Sequence, residues 1–441
     1  MPPQEAEMLR FLGLTEVDQL FEDIPSELRT NGLHLPSGLD EATTVGRIHS
    51  ILARNDSCAN MLNFLGAGCY DMYVPAVVDA ILSRSEFYTS YTPYQAEISQ
   101  GLLQALFEYQ SLICELTGMD AANSSMYDSS TALGEAALMC YRITRKREFV
   151  IPRVLHPDRK AVLRNYLKGP GLVMREVDYD RSKGTLDLDM LSDLVGEETG
   201  GIYLENPNFF GLLEEGALEM KQLYPGTLLV VGANPLALGV LKAPGDYGAD
   251  IVIGEGQCLG SWMNLGGPSL GLFACRKEYV RKMPGRVIGL TRDAGDRRAF
   301  CMTLQTREQH IRRERAMSNI CTNEALLAIG AAVYIAQKGG RGLKELGTSL
   351  IQKARDLMLR IDRLDNFQAP IFPGYYFNEF PVKTTFSYDK VHKHLLGMGI
   401  HGGLELSSIF QEFGSSTLLS VTDRHTPEDF DRLVAALGLL K

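Results

Sequence analysis

Several stretches of the chain group side chains whose types and spacing could do chemistry. In Thr89-Ser90-Tyr91-Thr92-Pro93-Tyr94-Gln95-Ala96-Glu97, two tyrosine hydroxyls and polar neighbours flank a proline of fixed φ. Such a run suits a ligand wall built on a loop. The plainer reading is an ordered turn whose tyrosines pack on the next helix. Tyr127-Asp128-Ser129-Ser130-Thr131 precedes a run of small residues, Ala132 to Met139. Hydroxyls and free backbone N–H groups at a helix start make an anion site, although Asp128 or Ser129 could simply cap the helix. Thr303 to Arg315 concentrates Arg307, His310, Arg312, Arg313 and Arg315. These could clamp a carboxylate or phosphate, or lie on a solvated helix in which Glu308 supports Arg312.

Other chemistries find less support. His392 and His394 are two apart in a polar helical stretch and would not share a helix face. No other His, Cys and carboxylate group has ligand spacing, so no metal site is expected. There is no GxxxxGK[ST], and Gly66-Ala67-Gly68 lacks the follow-up of a dinucleotide fingerprint.

These residues need elements to hold them. Leu102, Leu106, Tyr109, Ile113 and Leu116 form one apolar helix face, closed by Gly118. Short apolar runs follow at 149–151, 202–204, 228–231, 251–253 and 270–274. Between helical stretches they read as buried strands of a mostly parallel sheet, hence an α/β class. A helix is expected over 345–364 and a strand over 417–421. Thr426-Pro427-Glu428-Asp429 then starts a last helix with a Thr cap, Pro at its first position and acids in its first turn. Residues 1–65 read as a helical arm. In it Thr15 caps a helix whose apolar stripe is Leu20, Phe21 and Ile24. Residues 66–344 read as a large domain and 345–441 as a small C-terminal α/β domain.

Composition narrows the classes further. There are 44 basic against 54 acidic residues, a net charge of −10, which argues against a general nucleic-acid binder. The eight cysteines are scattered and none forms CxxC, so a reducing compartment with free thiols is expected. The N-terminal residues have no secretory or transit character. The most apolar window, 227–241, is shorter than the ~20 residues of a membrane helix and is interrupted by Gly232, Asn234 and Pro235. A soluble cytoplasmic protein is expected.

Four stretches are familiar together: FLGAGCYDMYVPAVVDAILSRSEFYTSYTPYQAEISQG, FEYQSLICELTGMDAANSSMYDSSTALGEAALM, NPNFFG and LQTREQHIRRERAMSNICTNEALL. With LFEDIPSELR near the start and LLSVTDRHTPEDFDRLVAAL near the end, they resemble the α chain (subunit 1) of split glycine cleavage system P-proteins. The resemblance covers nearly the whole chain. It implies a fold-type-I pyridoxal-phosphate (PLP) architecture: a large domain with a mainly parallel seven-stranded sheet, and a small C-terminal α/β domain. It also implies an overall reaction in which glycine is decarboxylated and its aminomethyl group passes to the lipoyl arm of H-protein.

The resemblance further implies which half of the enzyme this is. PLP chemistry uses a lysine for the internal aldimine and usually an acid at the pyridine nitrogen. In the β chain the acid stands in an Asp-Gly-Ala-Asn context. Here the stretch is Val231-Gly232-Ala233-Asn234. Counting back from Gly266-Gly267-Pro268 puts Gln257, within one residue, where the lysine would be. No lysine occurs between Lys242 and Lys277. This chain is therefore expected to hold no PLP covalently, and the β subunit to carry it in an α2β2 heterotetramer acting on glycine. Tyr91, Thr92, Tyr94, Gln95 and Glu97 become the candidates to reach an active site at the α–β interface. Ser129, Ser130 and Thr131 become a vestigial phosphate region, or helix caps. The Arg307–Arg315 segment is expected to help form the interface. Glu205 replaces a more usual uncharged polar residue, in a loop that could line that interface. Two other readings stay open. One is a self-sufficient PLP enzyme, for which the lysine is missing. The other is a non-catalytic scaffold or regulatory protein on a dead PLP fold.

Overall fold

Short aliphatic runs build the main sheet of the larger unit. In the computed structural model, residues 3–30, 32–304, 308–320 and 322–441 are described, and the chain divides into units 1–57 and 58–441. The second unit opens with a two-residue strand, β1 (Leu62–Asn63). Its main sheet comprises β2 (Ala121–Ala122), β3 (Glu148–Pro152), β4 (Val173–Val177), β5 (Thr199–Asn206), β6 (Leu228–Ala233), β7 (Ile251–Glu255) and β8 (Gly271–Cys275). The order is β2-β8-β7-β6-β5-β3-β4. Only β8 runs against its neighbours β7 and β2. The mostly parallel sheet agrees with the apolar runs, and its seven strands with what the resemblance implies.

Strand β6 is buried along its whole length because helices and loops cover both sheet faces. Alternate residues serve different cores: Leu229 and Val231 pack on one side, Leu228 and Val230 on the other. β4, VMREV, escaped the sequence reading. It is the edge strand, four of its five residues stay partly or fully exposed, and Arg175 and Glu176 break its apolar run.

The helix Gln100–Thr117 buries the expected face and ends at Gly118, whose φ of 67° is left-handed. Each fully buried Leu or Ile there contributes ~1.5–3 kcal/mol. The expected 345–364 helix is the second half of Ala325–Ile361, which bends at Gly339 (φ 61°, ψ 176°). β9 (Val287–Arg292) and β10 (Arg298–Thr303) form an antiparallel hairpin. β11 (Phe367–Gln368), β12 (Glu379–Thr384), β14 (Leu404–Glu405) and β15 (Ser416–Ser420) make an antiparallel sheet in the order β11-β12-β15-β14. β13 (Ile400–His401) pairs instead with β1. Thr426 caps the final helix, Pro427–Gly438, through a reciprocal capping box with Asp429.

The unit 1–57 holds the helices Pro3–Phe11 and Glu41–Leu52, the latter capped by Asp40. The helix expected after Thr15 is one 3-10 turn, Val17–Phe21, and its cap is Glu16. Gln19 draws in the backbone N–H groups of Thr15 (2.7 Å) and Glu16 (3.0 Å). Pro25, which has no N–H, stands where a longer helix would continue. Leu20, Phe21 and Ile24 are between 41% and 50% exposed, so they form no buried stripe.

Candidate functional site

The C-terminal ends of β5, β6 and β7 converge with the N-terminus of the helix Ser129–Thr144. Between them lies a hollow of about 60 Å³, lined by Tyr70, Arg159, Tyr203, Glu205, Gly232, Ala233, Glu255 and Glu379 among others. That is well below the ~300 Å³ at which small-molecule pockets begin. An adjoining hollow of about 230 Å³ shares Ala67, Gly68, Ser129, Arg159 and Glu255 with it and adds Ser130 and Gln257. Among the described residues, no lysine lines either hollow.

Three carboxylates face this space, each held differently. Glu205, at the end of β5, forms an ion pair with Arg159 and accepts from the Tyr203 hydroxyl at 2.7 Å. It is not a surface loop charge, as its sequence context suggested, but 4% exposed. The strand turns it inward, where the helix Pro157–Lys168 supplies its counter-ion. Burial is the largest influence and works to lower the Arg159 pKa, but the charge and hydrogen bond of Glu205, with Tyr203 and Tyr70, together outweigh it and the net shift is upward. Glu379, on β12, accepts from the Ala67 N–H at 2.5 Å and the Tyr70 hydroxyl at 2.7 Å. Glu255, at the end of β7, accepts through Oε2 from the Ser129 N–H (3.1 Å). Its Oε1 takes the Gln257 and Leu270 N–H groups (both 3.1 Å) and the Ser269 hydroxyl (2.5 Å). Withdrawal from water raises the pKa of both Glu255 and Glu379 above the ordinary carboxylate value.

Gln257 is also committed. Its Oε1 accepts from the Tyr70 N–H at 2.9 Å, and its Nε2 donates to the carbonyls of Tyr70 (3.0 Å) and Ser261 (2.8 Å). A neutral amide, with one acceptor and two donors, matches that set. Val231 does not line the hollow; it is fully buried in the core beside Leu229 and Leu204. The wall is formed by Gly232, where a Cβ would run into the Tyr203 hydroxyl. Ser129 gives its N–H to Glu255, Ser130 lines the larger hollow, and Thr131 shares a capping box with Asp128.

The tyrosine loop forms a second cluster, whose residues do not line these hollows. Arg286, 6% exposed, reaches the Tyr94 hydroxyl at 3.0 Å and the Thr92 hydroxyl at 3.3 Å. Its guanidinium carbon sits 5.3 Å from the Tyr94 ring centre. Asn323 Oδ1 lies 3.5 Å away, and Glu308 is 3.9 Å from Nε. The Tyr91 hydroxyl meets Thr322 at 3.2 Å. Tyr91, Tyr94, Gln95 and Glu97 are exposed. The loop thus joins part of the arginine-rich segment: His310 stands edge-on to Tyr94 at 6.1 Å. Glu308 turns to Arg286 and His310 rather than supporting a long helix; among the described residues that stretch holds Gln309–Arg312 and one 3-10 turn, Arg313–Arg315. Arg307 lies outside the described residues. Sequence reasoning missed Arg286, and the only local signal was Pro284-Gly285 before it. His392 stacks on Tyr388, whereas His394 reaches the Ala436 carbonyl at 2.9 Å. Among the described residues, no group of three His, Cys, Asp or Glu side chains could hold a metal ion.

Residues 2–437 match the family described as glycine cleavage system P-protein. A relative from Desulfitobacterium hafniense named probable glycine dehydrogenase (decarboxylating) subunit 1 is 45% identical, over 99% of this chain and 98% of its own. One of the same name from Thermococcus kodakarensis is 46% identical over 98% and 95%. A crystal structure of glycine decarboxylase (P-protein) in inhibitor-bound form superposes with a TM-score of 0.91, 38% identity, and coverage of 100% of this chain and 99% of that one. Lactobacillus brevis glutamate decarboxylase, at 15% identity and a TM-score of 0.70, shares the fold alone.

Proposed function

Because the chain belongs to the glycine cleavage system P-protein family, we propose that it is the α component of a two-chain glycine dehydrogenase (decarboxylating). The observation that carries this reading is the end-to-end similarity to relatives named subunit 1. That name implies a second subunit. We place the PLP on that β subunit, in an α2β2 assembly in the cytoplasm. Glycine is its substrate, and the lipoyl arm of H-protein takes the aminomethyl group. No helix among the described residues is long and apolar enough to cross a membrane.

In this reading the α chain contributes surface and position. Tyr88, Tyr91 and Ile98 are 70–77% exposed, a grouping of large apolar side chains that suits burial against a partner. The loop's hydroxyls would help orient glycine's carboxylate at the interface, with Tyr94 and Thr92 steadied from behind by Arg286. Gln95 and Glu97 face outward beside them. Domains 1–65, 66–344 and 345–441 would act as arm, body and cap.

The test is exchange of labelled bicarbonate into glycine, with H-protein present. Exchange is expected only when this chain and its β partner are mixed. Borohydride reduction is expected to leave no pyridoxyl-lysine on this chain. Full exchange by the β partner without this chain, or a stoichiometric lysine adduct here, would overturn the assignment.

A further inference from the structure

The cleft of this chain does not fit the phosphate-bearing aldehyde that its fold family uses, and the misfit has a specific agent. A helix N-terminus at the C-terminal edge of a parallel sheet is where such folds seat an anion. Here the helix Ser129–Thr144 begins at that edge. Its Ser129 N–H already donates to a carboxylate of the same chain, Glu255 Oε2, at 3.1 Å. The other oxygen draws donors from two further segments, Gln257 N and Leu270 N at 3.1 Å and Ser269 Oγ at 2.5 Å. Four donors therefore converge on one anion. Asp128 does not compete for them, since its carboxylate caps Thr131 at 2.7 Å.

We propose that Glu255 is a built-in anion that stands where a cofactor phosphate would sit, so that the chain plugs its own cofactor cleft. It keeps the fold's cradle intact and denies it to phosphate monoesters. Loss of lysine chemistry alone would not do this, because a cradle without a lysine would still bind phosphate non-covalently. The proposal deepens the α-chain assignment, in which the partner alone is loaded. Its test uses only this chain, without glycine or partner, so its failure leaves the exchange experiment untouched.

The test compares the full wild-type chain with Glu255→Ala, titrating inorganic phosphate at constant ionic strength in a calorimeter. The wild type is expected to give no saturable heat. Removing the carboxylate orphans the four donors, and the variant is expected to gain phosphate affinity by about tenfold or more. Equal binding by the two proteins, or none by either, would overturn the proposal. If Glu255→Ala does not fold, Glu255→Ser replaces it, with the same expectation. Hydrogen exchange on the wild-type chain needs no variant. Peptides containing Ser129 and Leu270 are expected to exchange identically with and without phosphate. Phosphate-dependent protection there would mean that the cradle is open and the proposal wrong.

Discussion

Replacing Arg159 by methionine keeps the stem length and removes the cation paired with Glu205 among the described residues. The Arg159 and Glu205 side chains are only 18% and 5% exposed. Glu205 would keep the Tyr203 hydroxyl at 2.7 Å. One neutral donor cannot replace a guanidinium. At an effective dielectric of about 20, two charges ~4 Å apart interact by about 4 kcal/mol. Breaking a buried pair from one side costs ~3–5 kcal/mol, because the remaining charge is stranded. The residual exposure of Arg159 puts this site at the low end, about 3 kcal/mol. Arg159→Met/Glu205→Gln removes the stranded charge while Gln keeps an oxygen for Tyr203. That double variant should recover about 2 kcal/mol relative to Arg159→Met, a difference well above additivity error. Urea unfolding followed by far-UV circular dichroism reads both numbers, as midpoint shifts at constant slope. A single variant within about 1 kcal/mol of wild type, or a double variant no more stable than the single, would refute the reasoning.

Three further outcomes are expected. Burial pushes the Glu214 carboxyl up to about 7 from 4.5. Its folded pKa is raised, so stability is full below about 4.5, falls through about 7 and then levels off, a loss of about 3 kcal/mol that Glu214→Gln should flatten in a melting-temperature profile. His425 moves the opposite way, with burial lowering it to about 4 from 6.5. Its neutral ring is bonded to the Thr422 N–H and the Asn63 carbonyl, both at 2.9 Å. That contribution is full above about 6.5 and lost as pH falls through about 4, and His425→Asn should flatten the acid limb of the same profile. Arg286→Met should slow bicarbonate exchange with the β partner present, as should Tyr94→Phe. Together they should cost less than the product of their single effects, because both disturb one contact. A multiplicative double effect, or loss of assembly, would count against a positioning role.

What the sequence made legible follows what is local. Buried strands such as Leu228–Ala233 announce themselves because both faces are covered and every residue is apolar. The capped final helix and the helix closed by Gly118 carry their stop and start signals within a few residues. β4 was missed because an edge strand needs no unbroken apolar run. The site was legible as stretches, not as contacts. Ser129 and Glu255 are 126 positions apart, and Tyr70 and Gln257 are 187 apart. Nothing in either local pattern says that a carboxylate ends where a helix begins. Glu205 stood out as an odd charge, yet its partner Arg159 sits in an ordinary amphipathic helix. Val231 packs in the core while the residue after it, Gly232, lines the hollow, a difference that the apolar run itself does not show.

The three bonds of Gln257 also say what a lysine at that position would meet. An ammonium group only donates, so a lysine at 257 would leave the Tyr70 N–H without its acceptor. It would also bring a cation into a site now balanced by an amide, while Glu255 still filled the neighbouring cradle. On the proposed reading, with Gln257 in the lysine's place and Glu255 in the phosphate's, restoring amine chemistry would need both residues to change. On the same reading, in which the partner chain carries the cofactor, a cleft filled in this way need not reopen for the reaction to run.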